Sequence, residues 1–294
     1  MNNPYLQMVQ KYRQLMEEGP RLPLGGFPPD APARKPADNA PVVLLFSPHP
    51  DDECITGALP LRLLRQEGMR VINVAVTQGS RKERQAGRWA ELVEACKYLG
   101  FETIQTASGG IEKVNPATQN GDPALWQKMV EVITGILKAH MPAAVFIPHA
   151  KDANSTHIGT HALVMDALRR MPPACVCRVF ETEFWAAMDA PNLMIESSAE
   201  EVAALVAATS FHVGEVQRNP YHLTLPAWMQ DNVRRGSELV GGQGAAAAAF
   251  GFCTLYRAQL WEGGTMRPAF EGRRQVASGA SLRSLFAANS TKQG

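Results

Sequence analysis

The chain has 294 residues, 45% of them hydrophobic and 19% charged, proportions of a soluble globular protein able to bury one large core. Its 29 lysines and arginines nearly balance 28 aspartates and glutamates, and the net charge of +1 leaves no overall basic field for nucleic acid or an acidic membrane. The first residues, MNNPYLQMVQ, lack the basic start and apolar run of a leader, and no stretch is apolar enough to span a bilayer. The five cysteines are odd in number and mostly set in apolar surroundings, so reduced thiols and a cytoplasmic location are expected.

Residues 4 to 18 place Tyr5, Met8, Val9, Tyr12, Leu15 and Met16 at helical spacing, which predicts a short amphipathic helix packed on the body or on another subunit. Residues 19 to 41, with Pro28, Pro29, Pro32 and Pro36, read as an extended arm, either a linker or a wrap around a neighbour. Val42 to Phe46 is unbroken in hydrophobicity, so it predicts a central strand buried on both faces and ending near Ser47. Pro48 and Pro50 then flank His49 and deny the backbone both a helix and a longer strand, leaving a stiff turn at the strand's carboxyl end, where open α/β sheets bind ligands.

His49, Asp51 and Asp52 fall within four residues on that turn. One reading is a capped turn, the carboxylates stabilising the start of the next helix. The other is a divalent metal, because imidazole nitrogen and carboxylate oxygen are ordinary zinc ligands and a carboxylate left unligated can take a proton from water. The histidine just before the pair and the buried strand behind it favour the metal.

Residues 55 to 67 predict a helix stopped by Gly68, Val71 to Val76 a second strand, and residues 82 to 99 a long helix ending at Leu99-Gly100. Arg88 on that helix either reaches the site or is one more surface arginine. Phe101 to Thr106 reads as a third strand, residues 107 to 122 as a polar loop able to overhang a pocket, Pro123 as the start of a helix to about Ala139, and Ala143 to Pro148 as a fourth strand. This β-α-β alternation predicts a doubly wound sheet.

The fourth strand delivers PHAKDANSTHIGTH, with His149, His157 and His161 close together and Asp152 placed to orient a ligating imidazole. His157 and His161 stand one turn apart on a helix from about Thr156 to Arg170. Cys175 and Cys177 make either half of a metal site or two buried residues of a fifth strand, Val176 to Phe180. The following Glu181, Glu183, Phe184 and Trp185 either offer a carboxylate and an aromatic platform to a sugar or are simply solvated. Residues 199 to 236 read as helical and then unusually polar, mixing His212, Glu215, Arg218, Asn219, Tyr221, His222, Trp228, Asp231, Asn232 and Arg235, a composition that suits a sugar site or a polar subunit interface or salt-bridged helix equally. Gly241 to Gly244 follows no strand, so it is not a dinucleotide fingerprint. Phe252 to Tyr256 reads as a last edge strand, and from Gly263 onward the chain reads as a loosely held tail.

PHPDDE behind an apolar strand resembles the signature of the PIG-L/LmbE-like deacetylases, zinc-dependent enzymes that remove acyl groups, usually acetyl, from N-acylated amino sugars. The resemblance runs over roughly residues 42 to 185 and includes the Thr77-Gln78-Gly79 turn and an R-x-x-E-x-x-x-A-x-x-x-L-G pattern from Arg88 to Gly100. It implies His49 and Asp52 as zinc ligands, Asp51 as general base and Arg88 at the substrate. Aligning Asn154-Ser155-Thr156-His157 on the family's H-x-D-H or H-x-N-H motif implies His157 as third ligand, with His149 and His161 as rivals. The chain departs from that motif at Asn154 and Thr156. Asn154 can donate a hydrogen bond to a developing oxyanion but no proton, which leaves the general acid open between Asp51 and another residue.

The expected architecture is an α/β, Rossmann-like, mostly parallel sheet flanked by helices, an LmbE-like three-layer sandwich over residues 42–262, with a helix and arm at 1–41 and a tail at 263–294. The activity implied by the resemblance is hydrolysis, with Zn2+ or another divalent metal, of an acyl group from the amide nitrogen of an N-acylated amino sugar or glycoside. The expected state is a homo-oligomer without nucleic-acid or membrane partners. The departures at Asn154 and Thr156 keep a second class open: a metal-bearing sugar-binding or assembly protein of the same fold with impaired catalysis. A nucleotide-binding transferase would need a glycine-rich first turn, and PHPDDE is not one.

Overall fold

The unbroken hydrophobic run Val42–Ser47 forms β1, the strand from which the sheet grows in both directions. The computed structural model describes residues 3–28 and 35–287. In it β1 pairs in parallel with β2 (Arg70–Ala75) on one side and β4 (Ala144–Pro148) on the other. Next come β3 (Glu102–Gln105) beyond β2 and β5 (Cys177–Thr182) beyond β4, also parallel. Val43, Leu44, Leu45 and Phe46 are all buried, each burial contributing about 1.5–3 kcal/mol.

Successive side chains of a strand point to opposite faces, and β1 divides accordingly. Val43 and Leu45 join a core built with α2 (Asp52–Ile55), α3 (Ala58–Arg65), α4 (Lys82–Leu99) and α8 (Ala199–Thr209). Leu44 and Phe46 join the opposite core, under α6 (Pro123–His140) and α7 (Ser155–Leu168). The mostly parallel sheet flanked by helices that the sequence predicts is therefore present. The connections run outward from β1 to β3 on one side and from β4 to β5 on the other, so the order reverses between β1 and β4. A crevice opens at such a reversal, beyond the strands' carboxyl ends.

Two expectations need correction. The run Phe252–Glu262 is not an edge strand: as β7 it lies between β5 and β6 (Leu193–Ser197), antiparallel to both. Its second half was hidden because Arg257 and Gln259 interrupt the apolar run while their neighbours Ala258 and Leu260 remain buried.

Nor is the segment after Gly263 loose, since β8 (Thr265–Pro268) pairs with β7, and β9 (Arg274–Val276) pairs with β6. Ala269, Phe270, Val276, Leu282 and Leu285 are buried. Two buried arginines hold it: Arg62 donates to the carbonyls of Glu196, Ala277 and Ala280, and Arg178 to those of Leu285 and Ala287. Carbonyl acceptors so far from their donors leave no sequence pattern.

The expected helix is present as α1 (Leu6–Glu18) and buries none of its residues on the body, the first of its two expected partners. Its stripe of Tyr5, Met8, Val9, Tyr12, Leu15 and Met16 is 42–67% exposed. A hydrogen bond from Tyr12 to Gln230 ties it to α10 (Tyr221–Leu239). The arm after it is anchored to its own chain by Phe27, which packs edge-on against Tyr98 and Phe211. Residues 29–34 of the arm, with Pro29 and Pro32, and residues 288–294 of the tail lie outside the described residues.

All five cysteines are free and buried, Cys177 within β5. Among the described residues no helix is long and apolar enough to cross a membrane.

Candidate metal centre

The turn after β1 is fixed by the neighbouring strand's end. Thr77 donates its hydroxyl to the carbonyl of Pro48 at 2.7 Å, and the N–H groups of Val76 and Thr77 reach the carbonyls of Ser47 and Pro48. The two prolines keep the segment from continuing β1, and the chain reverses at Asp51, whose backbone stands at φ 117°. A non-glycine residue there carries about 1–3 kcal/mol of strain. Glu53 holds it by accepting the Asp51 N–H at 3.0 Å. From the other side of the crevice β4 brings His149, and α7 brings His157, which is fully buried.

His49, Asp52 and His157 meet across this crevice. His49 Nδ1 lies 3.2 Å from His157 Nε2 and 3.4 Å from Asp52 Oδ2, and His157 Nε2 lies 3.3 Å from the same oxygen. An almost equilateral triangle of that edge is one face of a tetrahedron whose centre is about 2.0 Å from each corner, the ordinary zinc–ligand distance. Two imidazole nitrogens and one carboxylate oxygen that face each other so closely fit a divalent cation. Asp52 also accepts the His49 N–H at 2.8 Å. Against the burial that would raise it, His157 and His49 hold the Asp52 carboxyl well below the usual range. Behind the cradle, His157 Nδ1 has no hydrogen-bond partner and lies 3.7 Å from Asp152 Oδ1. Asp152 is itself fixed by the N–H groups of Asn154 and Trp185.

Asp51, next to Asp52 in the chain, is not one of the three. Its Oδ2 accepts the Tyr221 hydroxyl at 2.6 Å and lies 3.6 Å from Arg88 Nη2. Burial, and then the neighbouring Asp52 charge, raise the Asp51 carboxyl to about 6, while His212, Arg88 and Tyr221 pull the other way. Arg88 donates to the carbonyl of Pro50 at 2.8 Å, so the arginine of α4 does reach the turn. Its guanidinium passes over Gly79, where a Cβ would stand 2.5 Å from Nη1 and where φ is +81°. Both facts call for glycine there.

The rival histidines are engaged elsewhere. His149 Nε2 lies 2.9 Å from the carbonyl of Ala186, and His161 Nδ1 lies 2.9 Å from that of Pro148. Asn154 is the N-cap of α7, its side-chain oxygen accepting the Thr156 N–H at 2.8 Å, which leaves only its Nδ2 group to offer elsewhere. At the mouth of α7 it is Thr156, with His49, Thr77, Arg88 and Asn115, that lines a cavity of about 510 Å3 opening onto the cradle. The segment after β5 is divided. Glu183 pairs with Arg235 at 2.7 Å, and Glu181 lies 3.7 Å from Arg257. Phe184 sets its edge against His157, and Trp185 lines a second cavity of about 190 Å3 with Tyr221 and Trp228.

Sequence reading did not single out Tyr221, His212 or Glu215 from the polar stretch they share, and it missed Glu53 altogether. Glu53 Oε1 lies 2.7 Å from His212 Nε2, fully buried beneath the turn. Glu215 accepts Arg84 at 2.6 Å and lies 3.7 Å from Arg88. The only signal was the unusual polarity into which residues 199 to 236 pass.

No curated protein sequence matches the chain. Among solved structures, N,N'-diacetylchitobiose deacetylase from Pyrococcus horikoshii is 15% identical, with a TM-score of 0.55 over 90% of this chain and 94% of its own. Teicoplanin deacetylase Orf2, in a zinc-inhibited form, is 16% identical, with a TM-score of 0.52 over 75% and 98%. The 4-carboxy-2-hydroxymuconate hydratase GalB from Pseudomonas putida is 15% identical, with a TM-score of 0.51 over 74% and 95%. These likenesses establish the shared fold, on which a hydratase also occurs. The sequence model of the family described as GlcNAc-PI de-N-acetylase matches residues 44–168. That span holds His49, Asp51, Asp52, Arg88, Asn154 and His157 and stops short of His212, Glu215 and Tyr221. From within β1 through α7, the chain is similar to the PIG-L, or GlcNAc-PI de-N-acetylase, family.

Proposed function

We propose that the chain is a zinc-dependent hydrolase that removes an acetyl or other acyl group from the amide nitrogen of an N-acylated amino sugar or glycoside. The observation that carries this reading is the near-equilateral cradle of His49, Asp52 and His157 with a second, unligated carboxylate at its rim and a cavity in front of it. The family match and the deacetylases that share the fold support it.

In this reading His49, Asp52 and His157 hold the ion, which when bound supplies positive charge and makes water a stronger acid. Asp51 accepts a proton from the attacking water as the new C–O bond forms. It returns that proton to the nitrogen as the C–N bond breaks, which releases the free amine and the carboxylic acid. A carboxyl raised to about 6 is suited to both halves of that transfer near neutrality. Tyr221 stays protonated, because burial and the Asp51 charge push its hydroxyl up, and it keeps Asp51 oriented. Arg88 faces the substrate, and Asn154 offers Nδ2 to the developing oxyanion. Trp185 and Trp228 provide apolar faces for a sugar ring. Copies of the chain associate, which the exposed apolar stripe of α1 supports, and the five buried free thiols suit the cytoplasm.

The test is acetate release by the zinc-loaded chain from a panel of N-acetylated amino sugars. The expected result is turnover that Asp51→Asn lowers by about 100- to 10,000-fold. Zinc binding without turnover of any panel member would instead support the sugar-binding or assembly reading.

A further inference from the structure

Beside the cradle lies another cavity, of about 220 Å3, lined by Gln78, Arg81, Arg84, Arg88, Glu215 and Arg218 together with Ser80. Four arginines line it with one glutamate, in a chain whose overall charge is only +1. Glu215 is already shared among Arg84, Arg88 and Arg218, and among the described residues Arg81 has no ion-pair partner. A second observation is independent of charge. Gln78 is 1% exposed, and neither its Oε1 nor its Nε2 has a hydrogen-bond partner; Arg88 Nε, 3.7 Å from Glu215 Oε1, makes no hydrogen bond either. A buried carboxamide left unpaired is costly, so this wall is built to meet a polar group. An ion-pair network that existed only to hold Glu215 would require neither the orphaned Gln78 nor Arg81.

From this geometry we infer an oxyanion subsite: the amino-sugar substrate carries an acidic group, a phosphate ester or a carboxylate, that enters this cavity while its acylamino group faces the cradle. The inference rests on the hydrolase reading for the identity of the substrate, though the subsite itself does not. Arg88 and Ser80 line both this cavity and the one in front of the cradle, so a single molecule can occupy the two. Arginine forks suit the paired oxygens of either acid, and Gln78 adds a neutral donor.

The test compares kcat/KM of the zinc-loaded chain for N-acetylglucosamine with that for its 1-phosphate, its 6-phosphate and its O-carboxymethyl glycoside. The comparison is repeated in the Arg81→Ser/Arg218→Ser double variant and in Gln78→Leu. At least one acidic substrate should be preferred by tenfold or more, phosphate and carboxylate arms showing which acid fits. The double variant should reduce that preference to near unity while changing the neutral sugar less than twofold. Equal loss on neutral and acidic substrates would mean that the arginines support the fold of the site, and would overturn the inference.

A second readout needs no turnover. Calorimetric titration of inorganic phosphate into His157→Ala, whose cradle is disabled, should show binding that the added double substitution weakens tenfold or more. Unchanged binding, with neutral and acidic sugars turned over alike, would remove the subsite and leave the hydrolase. Phosphate binding lost on substitution, with no sugar turned over, would remove the hydrolase and leave the subsite.

Discussion

Two triads of metal-capable side chains grow from the same turn, and they differ in what surrounds them. His49, Asp52 and His157 stand at nearly equal separations of 3.2 to 3.4 Å and open onto a cavity, the His49 side chain remaining 21% exposed. Glu53, Cys54 and His212 also gather within reach of one another, but at 2.7, 3.4 and 3.9 Å, with no member more than 1% exposed. Asp52 and Glu53 are adjacent on the first turn of α2, and side chains about 100° apart around a helix leave in different directions. One carboxylate therefore reaches the crevice and the other the interior. The short Glu53–His212 contact is a completed hydrogen bond, and burial pushes the Cys54 thiol well up, away from the thiolate a metal would need. Closeness of ligand atoms alone does not fit a group to a catalytic metal; equal spacing and an open position suit the first triad to one better than the second.

The largest effects should separate the two triads. His157→Ala should lose bound zinc, measured by elemental analysis after dialysis, and with it nearly all turnover, while the chain stays folded. His212→Ala should keep the zinc and lose about 3–5 kcal/mol of stability in denaturant titrations, because it strands Glu53 as an uncompensated buried charge. Exchanged outcomes, zinc lost with His212 and stability with His157, would invert the assignment.

A pH series sharpens the same contrast. Against the burial that would lower it, Glu53 holds the His212 imidazole above its ordinary value. Its contribution to stability is therefore complete below about 6.5 and fades as pH rises through the folded-state value. As pH rises above about 6.5, wild type should lose stability more steeply than His212→Gln. Parallel curves would show that the pair is not charged.

Smaller effects probe the rim of the open triad. Tyr221→Phe removes a hydrogen bond to a charged group and should lower kcat/KM by about tenfold to a hundredfold. Because Tyr221 pulls the Asp51 carboxyl down, its loss should also move the acidic limb of the pH–rate profile upward, with metal content unchanged. Smallest of all is Asn154→Asp, which keeps an oxygen to cap α7 and loses the Nδ2 donor. Stability should change by less than about 0.5 kcal/mol while kcat falls about tenfold; an unaltered kcat would leave Asn154 a helix cap and nothing more.

Much of the open triad was legible because its chemistry is local. His49, Asp51 and Asp52 are fixed by two prolines and one buried strand, all within a few residues. His157 could be ranked above its rivals by a family motif, though packing alone sets the carbonyls of Ala186 and of Pro148, at the end of β4, against His149 and His161. The sealed triad was illegible for the converse reason. Glu53 and His212 are 159 residues apart, and neither lies in a pattern that names the other. The same holds for Tyr221, which reaches Asp51 across 170 residues, and for Glu215 among its arginines.

The sequence by itself determined the parallel half of the sheet, the stiff turn at its centre and the kinds of side chain that turn presents, since hydrophobic period, proline and glycine act over a few residues. The tertiary structure decided which imidazoles face one another, where β7 enters the sheet, what anchors the last described residues and why four arginines share one cavity. Those outcomes depend on groups far apart in the chain whose hydrogen bonds and charges are completed only when packing brings them together.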